Sequence, residues 1–198
     1  MKKPSKPTTS RRVKRIGIIA EDHSDVGVLN QLIGKIAKSP YTIRPFAAGG
    51  CGKMLGKADA WSKNLYDQGC RYLILVRDLD KENPATLHGS LVSALGDILS
   101  KSRIVVIPVR EIEAWLLADN EAIFRAMKLK KILAPIANPE AVADPKKLLA
   151  RLIYTNSEHT RRYINAIHNE KIAAECSYDS LLRCNSFKPF AQFIEQHI

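Results

Sequence analysis

The sequence predicts an α/β domain with a mostly parallel four-stranded sheet flanked by helices and a helical C-terminal third. Two observations carry this. Four short apolar runs, ending near Ala20, Phe46, Arg77 and Val109, alternate with segments whose apolar residues recur at helical spacing. From Glu111 onward the pattern is helical, with prolines marking its breaks. Strands that alternate with helices build parallel sheets, because each helix returns the chain to the same end of the sheet.

Taken in order, residues 15–20 form a short buried strand, and Val28, Leu29, Leu32, Ile33 and Ile36 mark a helix over 25–38. Residues 41–46 alternate as a second strand. A glycine loop, 47–52, leads to an amphipathic helix carrying Leu55, Ala58, Trp61 and Leu65, which Gly69 ends. Residues 71–77 are the third and most apolar strand. Leu87, Leu91, Leu95 and Ile98 mark the next helix, and 103–109 the fourth strand, which Pro108 ends or leaves partly unpaired. Ile112, Trp115, Leu116 and Phe124 share a helical stripe. Pro135, Pro139 and Pro145 make 134–144 a connector. Asp144-Pro145 reads as an N-cap and first helical residue, starting a helix through Leu148, Leu149 and Leu152. Two or three helices follow, the last from about Ser186. The expected organisation is a disordered basic tail (1–14), an α/β core (15–125) and a helical extension packed on it (126–198).

At 198 residues and 45% apolar content, the chain can bury one sizeable core. No apolar run reaches the ~18–20 residues of a membrane span, and the basic N-terminus has no apolar stretch of a secretory signal. Cys51, Cys70, Cys176 and Cys184 form no C-x-x-C pair, so they read as reduced thiols of a cytoplasmic protein. Net charge is +11, and the seven cations of residues 1–15, unopposed by any acid, leave +4 for the rest. That tail is either a sequence-blind arm for nucleic-acid phosphates or a solvated leader.

The chemistry concentrates at strand ends. Glu21 and Asp25 follow the first strand, Asp78 and Asp80 the third, Glu111 and Glu113 the fourth. In a parallel sheet those ends lie side by side, where ligands bind. Each pair alone has a simple structural use, since acids suit helix N-termini. Three such pairs together repel one another unless a hard, oxygen-seeking cation such as Mg²⁺ or Mn²⁺ joins them. His23, between Glu21 and Asp25, reads as an exposed loop histidine. Ala47 to Met54 is not a Walker A loop, because Ala47 and Met54 replace its first Gly and its Ser/Thr. The amides of Gly50 and Gly52, with Lys53, remain candidates for holding a phosphate. Arg77 and Arg110 either clamp a substrate phosphate or neutralise the carboxylates. Lys146, Lys147, Arg151, Arg161 and Arg162 form a basic stretch that reads as a solvated helix face, with a nucleic-acid groove as the alternative.

Glu21 with Asp25, then D-L-D after the third strand, resembles the Toprim fold of topoisomerases, primases and overcoming-lysogenization-defect (OLD) nucleases. More narrowly, the chain resembles a small bacterial Toprim-like group, domain-of-unknown-function family 4276, over roughly residues 15–195. The motifs are I-I-A-E-D-H-S-D, A-G-G-C-G-K, L-V-R-D-L-D, R-E-I-E-A-W-L-L-A-D, D-P-K-K and C-N-S-F-K-P-F; the E-x-E-x-W-L-L-A-D block is the most specific. The resemblance implies catalytic roles for Glu21, Asp78 and Asp80, with Glu21 in acid–base work or metal binding and both aspartates as metal ligands. By similarity with the OLD nucleases, Asp25, Glu111 and Glu113 hold a second ion. It implies a Mg²⁺- or Mn²⁺-dependent phosphodiesterase acting on nucleic acid, a role in phage defence, and a partner ATPase or other defence protein. Two departures are Asp22, where Gly usually follows the glutamate, and Asp25, where Glu is common. They keep open the alternative of a non-catalytic Toprim-like module that binds nucleic acid or a partner protein.

Overall fold

A computed structural model describes residues 13–198. The expected basic tail falls, for residues 1–12, outside the described residues. Strand β1 (Lys14–Ala20) leads into helix α1 (His23–Ile36), then β2 (Tyr41–Ala47), α2 (Cys51–Asp67), β3 (Tyr72–Val76), α3 (Pro84–Ala94) and β4 (Arg103–Val106). The strands form one four-stranded sheet, order β2-β1-β3-β4, with every pairing parallel. Pro45 is tolerated because β2 is an edge strand.

The pleat divides the core. Ile16, Ile18, Ala20, Ile74, Val76 and Val106 face a large cluster shared with α1 and the C-terminal helices. Ile19, Leu73 and Leu75 face a smaller cluster with Met54, Ala58 and Leu65 of α2 and Leu87 and Leu91 of α3. Strands buried on both faces read as continuous apolar runs, which is why the two central strands, β1 and β3, were legible, while the edge strand β2 carries the alternation of a half-exposed strand. Gly17 lets α2 approach: a Cβ there would stand 2.8 Å from Leu65 Cδ1.

Most predicted boundaries hold to within about two residues, and two move further. The fourth strand stops at Val106, before Pro108, which has no N–H to add to a ladder. Helix α3 stops at Ala94 rather than Ile98, because Gly96 turns the chain at φ +61° and its carbonyl, with that of Ile98, is taken by the Arg103 guanidinium.

Beyond β4 come α4 (Glu113–Leu116), α5 (Asn120–Met127), a short 3₁₀ turn (Pro139–Ala141), α6 (Pro145–Asn156), α7 (Asn165–Glu175), α8 (Tyr178–Leu181) and α9 (Lys188–His197). Asp144 caps α6 by accepting from Lys147 N at 2.9 Å, with Pro145 at the first position as predicted. Trp115, Phe187 and Phe190 stack into the core and fasten the C-terminal third to the sheet. Among the described residues no helix is long and apolar enough to cross a membrane. Cys70, Cys176 and Cys184 are free and buried; the Cys51 side chain lies outside the described residues.

Candidate carboxylate site at the sheet switch point

The chain goes from β1 outward to β2, then returns to β3 and continues the other way to β4. Its direction therefore reverses between β1 and β3, and the crevice beyond their C-terminal ends is where doubly wound sheets receive ligands. Glu21 leaves β1 at that crevice and Asp78 leaves β3.

Hydrogen bonds past the sheet draw the β3 and β4 exits together. Arg77 N donates to Val106 O (3.1 Å), Leu79 N to Pro108 O (3.0 Å) and Asp80 N to Arg110 O (2.9 Å). Arg110 Nη1 returns a bond to Asp80 O at 3.0 Å. Asp80 and Arg110 both adopt positive φ, 51° and 66°, a conformation Asp tolerates better than most residues. This double turn seats Asp78, whose Oδ1 accepts from Ile112 N at 2.9 Å and so touches the E-I-E segment directly.

Five acids then share one electrostatic environment. Burial raises the Asp78 carboxyl from its ordinary 3.8 to about 9, and the negative charges of Asp25, Glu113, Glu21 and Asp80 add to the shift. Asp25 rises to about 7, from burial first and then from Asp22, Glu113 and Glu21. Glu21 is also raised, because burial outweighs the opposing pull of Arg77. Glu111 is raised too, by burial first, but its charged neighbours are Glu113, Asp144 and Lys146, which places it on the outer rim. Its Oε2 accepts from Lys146 N at 2.8 Å, tying α6 to the site.

Glu113 is the most deeply held, at 3% exposure. Its Oε1 accepts from Tyr163 Oη (2.9 Å) and Asn169 Nδ2 (3.1 Å), while Lys146 Nζ stands 3.9 Å away. Asn169 also donates to Ser24 Oγ at 3.1 Å, and Tyr163 Oη bonds to Asn169 Oδ1. Sequence reasoning missed Tyr163 and Asn169. Only an amide and a phenol among basic residues mark them, with no spacing that ties them to the acids.

The remaining candidates are placed as follows. Arg77 is buried and lies between Glu21, 3.4 Å away, and Glu82. Glu21 Oε1 and Arg77 Nε face each other as an ion pair without hydrogen-bond geometry, and neither atom finds a hydrogen-bond partner among the described residues. Asp22 is the N-cap of α1, accepting from Ser24 N (2.7 Å) and Asp25 N (3.2 Å), while Asp25 Oδ2 accepts from Asp22 N at 3.4 Å. The side chain that replaces the usual glycine therefore serves the helix. His23 is exposed at the start of α1. Gly49 N donates to Glu21 O at 2.9 Å, so the glycine loop borders the site, and Gly50 opens α2 at φ 125° without a side-chain cap. Gly52 and Lys53 are exposed on the first turn of α2.

As a donor set the cluster suits a hard cation: all its ligating atoms are carboxylate oxygens at one sheet edge. Its spacing is open. Among the described residues, no three His, Cys, Asp or Glu side chains are gathered closely enough to hold an ion. Five of the six acids instead spend an oxygen on the protein, Asp25 on Asp22 N, Asp78 on Ile112 N, Glu111 on Lys146 N, Glu113 on Tyr163 and Asn169, and Glu21 on Arg77.

No curated protein and no solved structure matches the chain. A family model does, over residues 20–195. That span includes every acid of the site and the Tyr163–Asn169 clamp, and by it the chain belongs to the family described as "Domain of unknown function (DUF4276)".

Proposed function

We propose that this protein is a divalent-metal-dependent phosphodiesterase acting on nucleic acid, with a Toprim-like site of the kind found in OLD-type nucleases. One observation supports the reading: carboxylates from three separate strand exits lie near enough at the switch point of the sheet to feel one another's charge, and burial first, with repulsion from Asp25, Glu113, Glu21 and Asp80 added, pushes Asp78 to about 9. Such an arrangement is costly without a compensating proton or cation. A bound Mg²⁺ or Mn²⁺ would supply a water of lowered pKa and neutralise charge on a leaving oxygen, and a second ion would let the site do both at once.

The chain's own residues have separable tasks in this reading. Asp78, Asp80 and Glu21 hold the first ion, and Asp25, Glu113 and Glu111 complete a second position. Glu21, half-buried with a raised pKa, is placed to move a proton. Tyr163 and Asn169 fix the Glu113 carboxylate. Arg77 balances Glu21 and Glu82 from beneath. Phage defence, with an ATPase or other defence protein as partner, is the setting in which such a nuclease is proposed to act. A second reading, a non-catalytic module that binds nucleic acid or a partner protein, draws support from the open spacing of the acids.

Cleavage of labelled single- and double-stranded DNA and RNA with Mg²⁺ or Mn²⁺ decides between them. The proposal expects cleavage that EDTA stops and that Asp78→Ala abolishes. Cleavage undiminished in Asp78→Ala overturns the site assignment, and Mn²⁺ binding without turnover on any of these nucleic acids selects the non-catalytic module.

A further inference from the structure

A basic face borders the acid site. On α6, Lys147, Arg151 and Tyr154 stand at i, i+4 and i+7, on one side of the helix, while Leu149 and Ile153 are buried on the other. Arg161 and Arg162 lie in the loop before α7. Among the described residues, Lys147, Arg151, Arg161 and Arg162 form no ion pair, although the nearby acids are all engaged: Asp144 caps α6 and Glu158 pairs with Lys130. The stripe is also aromatic. Tyr154 is 43% exposed and packs against the His159 ring at 4.7 Å.

The stripe leads to the site. An open pocket of about 410 Å³ lies between α6 and the start of α7, walled by Asp144, Lys146, Lys147 and Ala150 on one side and Tyr163, Ile164 and Asn165 on the other; the Asp144 carboxylate is engaged in capping α6. Two of these residues belong to the acid site as well, since the Tyr163 hydroxyl reaches Glu113 and Lys146 touches both Glu111 and Glu113. A carboxylate cluster repels a polyanion, so its substrate needs cations at the threshold to hold it. From Lys147 to Tyr154 the stripe runs about 10 Å along the helix, long enough for successive phosphates and one stacked base.

We infer that the outer face of α6 and the adjoining pocket bind single-stranded nucleic acid, with phosphates on Lys147 and Arg151 and a base on Tyr154, and lead the strand toward Glu111 and Glu113. The inference rests on the proposed nucleic-acid reading and adds to it where the strand lies. Lys146 is the inner cation at the acid edge, and Arg161 and Arg162 widen the track. Cations interleaved with an exposed aromatic ring favour single strands, because stacking needs an unpaired base.

The test is fluorescence anisotropy of a labelled oligodeoxynucleotide in EDTA, so that binding is read without cleavage. Lys147→Gln with Arg151→Gln should weaken binding and flatten the slope of log affinity against log salt by about 1.4, ~0.7 for each lost single-strand contact. Tyr154→Ala should weaken single-strand binding about tenfold or more with the slope unchanged. Lys101→Gln, an exposed lysine at the opposite end of the sheet, should change nothing. Unaltered affinity and slope in the α6 variants overturn the inference, as does duplex binding as tight as single-strand binding with Tyr154→Ala silent, or capture of polyglutamate but no oligonucleotide. These side chains are exposed, and an unchanged thermal melt separates lost contacts from lost fold. Binding that behaves as expected without metal-dependent cleavage leaves this inference standing and removes only the nuclease.

Discussion

Asp78 is the residue on which the site's energetics turn. Its carboxyl, near 3.8 in an unfolded chain, is raised to about 9 when folded. Between those values the folded state holds a proton that the unfolded state releases, so stability falls as pH climbs from about 4 toward 9. Asp25, raised to about 7, adds to the fall over the lower part of that range. Asp119 has the opposite sign: its lowered pKa, set by bonds from Ser177 and Ala122 that outweigh burial, contributes stability lost only in acid. Asp78→Asn should therefore raise the melting temperature at pH 8 by several degrees, for about 2 kcal/mol or more, with a smaller gain at pH 5. Differential scanning calorimetry at the two pH values reads this; an equal effect at both would contradict it. Tyr163→Phe removes one of the two hydrogen bonds to Glu113 Oε1 and should cost about 1 kcal/mol. It should also weaken Mn²⁺ binding by calorimetric titration, which a purely structural tyrosine would leave untouched.

Elements explain how such acids come to share one place. Strands β1 and β3 could be read from sequence because burial on both faces makes them continuously apolar, and the edge strand β4 because its short run Ile104–Val106 is apolar throughout. The acid pairs were legible because each follows one of those strands. Other features depend on contacts remote in sequence. That Glu111 turns toward α6 while Glu113 points inward follows from the N–H of Lys146 and the side chains of Tyr163 and Asn169, all more than thirty residues away. Local pattern does not record such pairings, nor the positive φ at Asp80 and Arg110 that zips two strand exits together. Asp22 is a case where the element decides a residue's role, for its carboxylate belongs to the capping box of α1. Asp22→Ala should cost about 1 kcal/mol of stability while leaving Mn²⁺ affinity within a factor of two. A large loss of affinity in that variant would make Asp22 a ligand instead.

At the scale of the whole molecule, the helical C-terminal third does more than cover the sheet. Helix α7 packs on α1, the loop before α7 supplies Tyr163, α7 itself supplies Asn169, and α6 supplies Lys146, so the site is built from both ends of the chain. A single family match over residues 20–195 agrees with that interdependence. The charge is arranged to the same end, with acids in the crevice and, on the α6 face beside it, Lys147 and Arg151, which form no ion pair among the described residues. The central claim is that the strand-end carboxylates form one divalent-cation site. Anomalous diffraction from a crystal soaked in Mn²⁺ tests it most directly. The account predicts one or two peaks at the β1–β3 switch point, with Asp78 as a ligand and Glu21 or Glu113 beside it. A crevice without a peak at saturating Mn²⁺, or peaks only at surface acids elsewhere, would contradict it.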